Sequence, residues 1–266
     1  MSEASSGLRT RLRSVATGAG SLIALIVAWQ LATWWFAVPK FLLPGPSDVL
    51  QTIWSFGAAW GNHIWTTVRA TLLGFGLAIV IGLGLAIAIV HSRFLREVLT
   101  PVIVVLQIIP KVAFAPLLLI WFGTGTPPIV AIAFLVAFFP MVVNSAVGMA
   151  DVENDLIDLT RVLRMSWWRV LWSVRLPNAM PHIFSGLRIA STLAVIGTII
   201  GEFVGSNVGL GYLILIANNQ MNTPLAFASI IIISLFGLSL YGSIAAIERA
   251  FMPWRVRSGD LSGLGI

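Results

Sequence analysis

Cysteine is absent from the 266 residues, which excludes a disulfide framework, a thiolate metal site and a cysteine nucleophile. Charge is nearly as scarce. Asp, Glu, Lys and Arg make up 10% of the chain against 58% apolar residues, with mean hydropathy +0.95, whereas a soluble domain of average composition carries about 25% charge. Water is therefore not the main solvent of this chain. Acidic residues are the rarer sign, ten against sixteen basic ones, and the +6 excess is compatible with nucleic acid, anionic lipid or an asymmetric membrane topology. No glycine-rich loop ending in Gly-Lys-Ser or Gly-Lys-Thr is present to cradle ATP phosphates, so the chain is not expected to hydrolyse ATP by itself. His63, His91 and His182 have no spacing suited to one metal site. No Ser, His and acid set is convincingly assembled by the sequence, and no catalytic residue is assigned.

What the chain does have is long apolar runs. Crossing a hydrocarbon core of about 30 Å takes about twenty mostly apolar residues. Six segments qualify, near residues 18–38, 64–90, 98–122, 127–149, 183–205 and 224–247. The first is long for a signal-peptide core, lacks a small-residue cleavage site and reads as retained. The basic residues sort by side. Arg9, Arg11 and Arg13 precede the first span, Arg93 and Arg96 follow the second, Arg161, Arg164, Arg169 and Arg175 follow the fourth, and Arg249, Arg255 and Arg257 follow the sixth. The opposite connections hold only Lys40. By the positive-inside rule both termini and the loop 150–182 are cytoplasmic. The net charge then reports topology, and no nucleic-acid partner is expected. The fold class follows as all-α and polytopic with about six transmembrane helices. Residues 1–17 form a cytoplasmic segment, 18–250 the membrane domain with its loop 150–182, and 251–266 a cytoplasmic tail.

Inside the spans, Gly74, Ala78, Gly82 and Ala86 recur every four residues, with Gly76 and Gly84 beside them, which lets helix backbones approach closely. Pro101, Pro110 and Pro116 each remove a donor, so the third span is expected to be kinked or interrupted. Before the second span, Pro44-Gly45-Pro46-Ser47-Asp48 reads as a turn with Ser47 as N-cap of a short interfacial helix, and Trp54, Trp60 and Trp65 suit an aromatic belt. Intramembrane polar groups are costly. Lys111, the deepest, suits an anion-attracting position in a pathway or a lysine that snorkels or is paired; Gln107 and Asn144 line the pathway or make interhelical hydrogen bonds. Glu202 is a further pathway candidate, or pairs with a basic group or stabilises the Gly-Ser-Asn turn after it; Arg69 and Arg188 lie where they can reach interfacial water.

The long cytoplasmic loop is not built like a disordered one. Leu156, Leu159, Val162 and Leu163 recur at helical spacing, opposed by Asp155, Asp158, Arg161 and Arg164. Ser166 can cap a second short helix through Trp167, Trp168, Val170 and Leu171, which Pro177 ends. Two short amphipathic helices at the membrane face can rest on lipid or dock into a partner's groove.

Here the sequence resembles the permeases of binding-protein-dependent ABC importers, whose cytoplasmic signature is Glu-Ala-Ala, three residues, Gly, nine residues, Ile, any residue, Leu-Pro. Asp158-Leu159-Thr160, then Arg164, then Val174-Arg175-Leu176-Pro177 keep that spacing. The acid, the branched aliphatic and Leu-Pro are retained, while the alanines are Leu159 and Thr160 and the glycine, which permits the turn between two short helices, is Arg164. FLLPGPSDVL, IIPKVAFAPLLLIWFGTG and GEFVGSNVGLGYL extend the likeness over nearly the whole chain, toward permeases for nitrate, sulfonates, taurine and thiamine-precursor or riboflavin-type substrates. The resemblance implies a multi-pass protein of the bacterial inner membrane. It implies a second permease copy, separate ABC ATPase subunits that use ATP, and an extracytoplasmic solute-binding protein. The ATPase-coupling residues would be Asp158, Leu159, Thr160, Leu163, Arg164, Val174, Leu176 and Pro177. Lys111 favours a small anion such as nitrate, a sulfonate or taurine, with a riboflavin or thiamine-precursor-type solute as the alternative. An autonomous secondary transporter and an intramembrane enzyme are the rival readings.

Overall fold

The computed structural model describes residues 17, 20, 21 and 23–252. The basic residues Arg9, Arg11, Arg13, Arg255 and Arg257, nearly all of the expected N-terminal segment, and the tail from 253 lie outside the described residues. Every regular element among them is helical. In chain order these are α1 Ile23–Trp35, α2 Pro46–Phe56, α3 Trp60–His91, α4 Arg93–Ile108, α5 Ala115–Phe122, α6 Thr126–Ala150, α7 Asn154–Val162, α8 Trp167–Val170, α9 Leu176–Gly205, α10 Leu210–Asn219 and α11 Thr223–Phe251.

Among the described residues, four continuous helical stretches are long and apolar enough to cross a membrane, Pro46–His91, Thr126–Ala150, Trp167–Gly205 and Thr223–Phe251. A fifth crossing exists if α4 and the chain from Lys111 to Phe122, bent by 86°, count as one span. At the place of the expected first span, α1 is a shorter apolar helix, and the expected start at Gly18 lies outside the described residues.

Three local departures from the sequence reading stand beside one interruption that it expected, at the prolines of the third span. The interfacial helix starts at Pro46 with Gly45, not Ser47, as N-cap, because proline's fixed φ and missing donor suit the first helical position. Proline also divides the expected third span: Ile109 is extended, with φ −65° and ψ 129°, ahead of Pro110, and a short 3₁₀ turn, Lys111–Phe114, precedes α5. That is the conformation a residue before proline prefers. Pro177 does not end the second cytoplasmic helix. A π-helical turn over Leu171–Arg175 carries α8 straight into α9, and the widened turn accommodates the proline ring and its missing donor. Finally, α10 occupies the connection between the fifth and sixth expected spans, to which the sequence reading assigns no element.

The chain divides into two compact units, one comprising the chain up to Trp60 with Leu213–Ile231, the other Gly61–Tyr212 with the chain from Ile232 onward. In the first, Gln30 Oε1 accepts the Ser47 N–H at 3.0 Å and the rings of Trp29 and Phe227 lie 5.8 Å apart. Lys40 pairs with Asp48 at 2.6 Å, and the Asp48 carboxylate also accepts the Gly45 N–H at the start of α2.

In the second unit α6 lies against α3 and α9, and small residues set the approach. A Cβ on Gly74 would come within 2.6 Å of Ala133, and one on Gly197 within 2.8 Å of the Ala133 backbone. Ala78 and Ala86 are fully buried, whereas Gly76 and Gly84 face open space. The four-residue stripe is thus a helix-packing surface. Arg188 does not simply reach out to water: its guanidinium donates to Glu248 on α11 and lies over the Tyr241 ring at 5.8 Å.

Candidate functional site: a polar cavity and a cytoplasmic helical segment

The break between α4 and α5 opens part of a cavity of about 480 Å³ lined by Gln107, Lys111, Val136, Phe139, Pro140, Val143, Asn144 and Leu193. Three of the sequence candidates meet here. Lys111 Nζ donates to the Gln107 carbonyl, the residue one turn back, and stands 5.0 Å from the centroid of the Phe139 ring. Those contacts hold the ammonium by a carbonyl and a π face, neither of which neutralises its charge. Asn144 Nδ2 donates to the Pro140 carbonyl at 2.8 Å, a carbonyl whose usual helical donor is Asn144's own backbone N–H. Among the described residues, no protein group donates to its side-chain oxygen. The cavity therefore presents a cation, an amide and an aromatic face. Phe139 was not singled out by the sequence, since it is one of fifteen phenylalanines.

Glu202 stands elsewhere. It is 0% exposed, accepting Thr67 Oγ1 at 2.7 Å and the Gly211 N–H at 2.7 Å. Thr67 Oγ1 in turn accepts the Leu210 N–H at 2.8 Å, and the Gly209 N–H donates to His63 Nδ1 at 3.0 Å. These donors are the unpaired backbone groups that open α10, so His63, Thr67 and Glu202 together cap that helix. Gly209 has φ +139°, and a Cβ there would fall 2.3 Å from the Glu202 carboxylate carbon. Only glycine fits over the buried acid. Besides Glu202 itself, a threonine four residues ahead of another, Thr67 and Thr71, with Thr71 bonded to Thr198 at 2.9 Å, is a sequence sign of this polar seam.

On the basic side, α7 presents Leu156, Leu159, Val162 and Leu163 exposed, Val162 at 79%. Asp158 is paired with Arg161 at 2.7 Å in the same helix, and Thr160 is buried with its hydroxyl on the Ile157 carbonyl. Arg164 has φ +48°. Its N–H bonds to the Arg161 carbonyl, and the Met165 N–H to the Thr160 carbonyl, both at 3.0 Å. This pair of bonds around a left-handed residue is the Schellman turn, in which glycine is the usual occupant. Val174 and Leu176 are half-buried and Pro177 exposed in and just after the π turn. Trp168 and Trp172 add exposed aromatic area beside them.

Comparison with known proteins gives this arrangement its context. Residues 78–252 match the family described as binding-protein-dependent transport system inner membrane component. The chain is 37% identical to the riboflavin transport system permease protein RibX of Chloroflexus aurantiacus, over 88% of each chain. It is 31% identical to the putative aliphatic sulfonates transport permease protein SsuC of Bacillus subtilis, over 88% of this chain and 86% of that one. A chain of the inward-facing MetNI methionine ABC transporter shares the fold, with TM-score 0.63 and 17% identity over 71% of this chain and 94% of that one. With the family model matched over more than half its length and these relatives aligned nearly end to end, this multi-pass membrane protein belongs to the binding-protein-dependent transport system inner membrane components, the permease subunits of ABC importers.

Proposed function

We propose that the chain forms the solute pathway of its importer with a second copy of itself, and that a separate ABC ATPase, which hydrolyses the ATP, grips α7. The observation that carries this is the exposed apolar face of α7, held by a tight turn at Arg164 next to a helix continuous with a membrane span. Movement of α7 would be transmitted through α8 and the π turn into α9, which borders the Lys111 cavity at Leu193, so alternating access needs no covalent chemistry in this chain. The domain division, with both termini and the 150–182 loop on the cytoplasmic side of a bacterial inner membrane, rests on the distribution of arginines. An extracytoplasmic binding protein would deliver the solute from the opposite side. Tagged chain solubilised from native membranes should carry an ATPase with it. Leu163→Asp should release that partner while the chain stays in the membrane, and coupled uptake by this variant would refute the assignment of α7.

Gln107, Lys111 and Asn144 are proposed to meet the solute, and the uncompensated ammonium favours a small anion such as nitrate, a sulfonate or taurine. Glu202 is left to hold the turn into α10. A second reading, a riboflavin or thiamine-precursor type of solute, is favoured by the 37% identity to RibX and would use the Phe139 face. Uptake into vesicles bearing the full importer separates the two. Loss of a charge-assisted hydrogen bond of about 1.5–3 kcal/mol should cut anion uptake by Lys111→Ala roughly 10–100-fold with ATPase assembly intact. Unchanged uptake of the native solute would remove Lys111 from the site.

A further inference from the structure

A second cavity, of about 360 Å³, lies between α3, α4 and α6, walled by aliphatic side chains that include Ile103, Val104, Val142 and Val147. Its polar groups sit on α4. Arg96 marks the end near Ala150, the last residue of α6, Thr100 stands one turn further in, and Gln107 closes the other end. From Arg96 to Gln107 the helix advances eleven residues, about 16 Å at 1.5 Å per residue. One leaflet contributes about 15 Å of a hydrocarbon core of about 30 Å. The cavity is thus as long as a leaflet is thick.

Its cationic end is under-compensated. Arg96 is exposed and lines the cavity end near Ala150. Arg175 donates to the Met149 carbonyl at 2.8 Å, and neither guanidinium forms a salt bridge with a carboxylate among the described residues. Arg93, by contrast, pairs with Glu97 at 2.9 Å. An apolar slot of leaflet length, with Arg96 at one end and Arg175 held on the carbonyl next to Ala150 at that same end, complements a single negative phosphate attached to a hydrocarbon chain. We propose that this slot holds one acyl chain of an anionic phospholipid from the arginine-rich face of the membrane, with its phosphate between Arg96 and Arg175. The aliphatic walls supply no donor for a hydrated solute, whereas an acyl chain needs none. Basic pockets between helices on that face are suited to anionic headgroups.

The test is native mass spectrometry of the delipidated permease–ATPase complex titrated with phosphatidylglycerol or with phosphatidylcholine of the same acyl chains. Phosphatidylglycerol should be retained preferentially. Arg96→Gln should weaken its retention about fivefold, the worth of one basic residue near an anionic headgroup, without altering phosphatidylcholine, and Arg93→Gln should alter neither. Val147→Trp, which fills the slot, should abolish the preferential retention. Equal retention of the two lipids, or phosphatidylglycerol retention untouched by Arg96→Gln, overturns the proposal. So does a Val147→Trp complex that keeps its lipid but no longer imports solute, because the slot is then the inner stretch of the solute path. If Val147→Trp does not assemble, the comparison of Arg96→Gln with Arg93→Gln decides alone.

Discussion

Replacing Arg164 by glycine should tighten the end of α7, and the size of the effect can be worked from the backbone. A left-handed conformation costs a residue with a Cβ about 1–2 kcal/mol, and Arg164 adopts it with φ +48°. Glycine removes that cost but gains freedom in the opened state, which offsets about 0.4–1 kcal/mol. The net is about 0.8 kcal/mol in favour of the closed turn, close to fourfold in the opening equilibrium. Arginine also contributes a favourable interaction of about 0.3–1 kcal/mol with the C-terminal end of α7, so the proper reference is Arg164→Ala, which loses the charge and keeps the strain. The assay is hydrogen exchange, read by mass spectrometry, of the amides of residues 164 and 165, which bond to the carbonyls of Arg161 and Thr160. After correction for intrinsic rates, Arg164→Gly should exchange about fourfold more slowly than Arg164→Ala, and Arg164→Val faster than either. Equal protection in the glycine and alanine variants would refute the account of the turn as strained.

Two further perturbations test the interior. Glu202→Ala removes the acceptor of Thr67 Oγ1 and of the Gly211 N–H and should destabilise the chain by about 2–6 kcal/mol, at about 1–3 kcal/mol for each orphaned donor. Glu202→Gln keeps an acceptor and should cost about half as much, and equal thermal unfolding midpoints for the two variants, followed by tryptophan fluorescence, would contradict the capping role. Gly74→Val would drive a Cβ to 2.6 Å from Ala133, while a Cβ on Gly76 meets nothing within 4 Å, so Gly76→Val projects into open space. Overpacking costs typically about 1–3 kcal/mol, so the first should lower the unfolding midpoint and the second leave it unchanged; equal shifts would dismiss the stripe as a packing face.

The helices were legible where a single property repeats over a long stretch. Thr126–Ala150 and Thr223–Phe251 match apolar runs that no proline or charge divides decisively, and their ends agree with the sequence reading within a few residues. The third span was harder. Its prolines announced an interruption, but the 86° bend depends on Ile109 being extended ahead of Pro110, a choice between a kink and a break that neighbours decide. The Leu210–Asn219 helix is ten residues long, and an apolar run of that length is ambiguous without knowing what caps it. Glu202 is nine residues from the Gly211 N–H it accepts, but the other two caps, His63 and Thr67, lie far off in sequence, Thr67 being 143 residues from Leu210.

The same distinction between local and distant causes explains the candidate sites. Gln107 and Lys111 are four apart, so one helical turn brings the ammonium to the Gln107 carbonyl, and a polar residue in an apolar run advertises itself. Phe139 and the burial of Glu202 could not be read in that way, because each owes its role to a partner on another helix. Arg164 shows the opposite case. Its departure from the family signature looks like a chemical change, yet the turn it occupies needs only a left-handed backbone and two hydrogen bonds, and both are present. The glycine in the signature therefore expresses a backbone preference, and an exposed arginine can stand in for it at the modest conformational cost that the glycine substitution would recover.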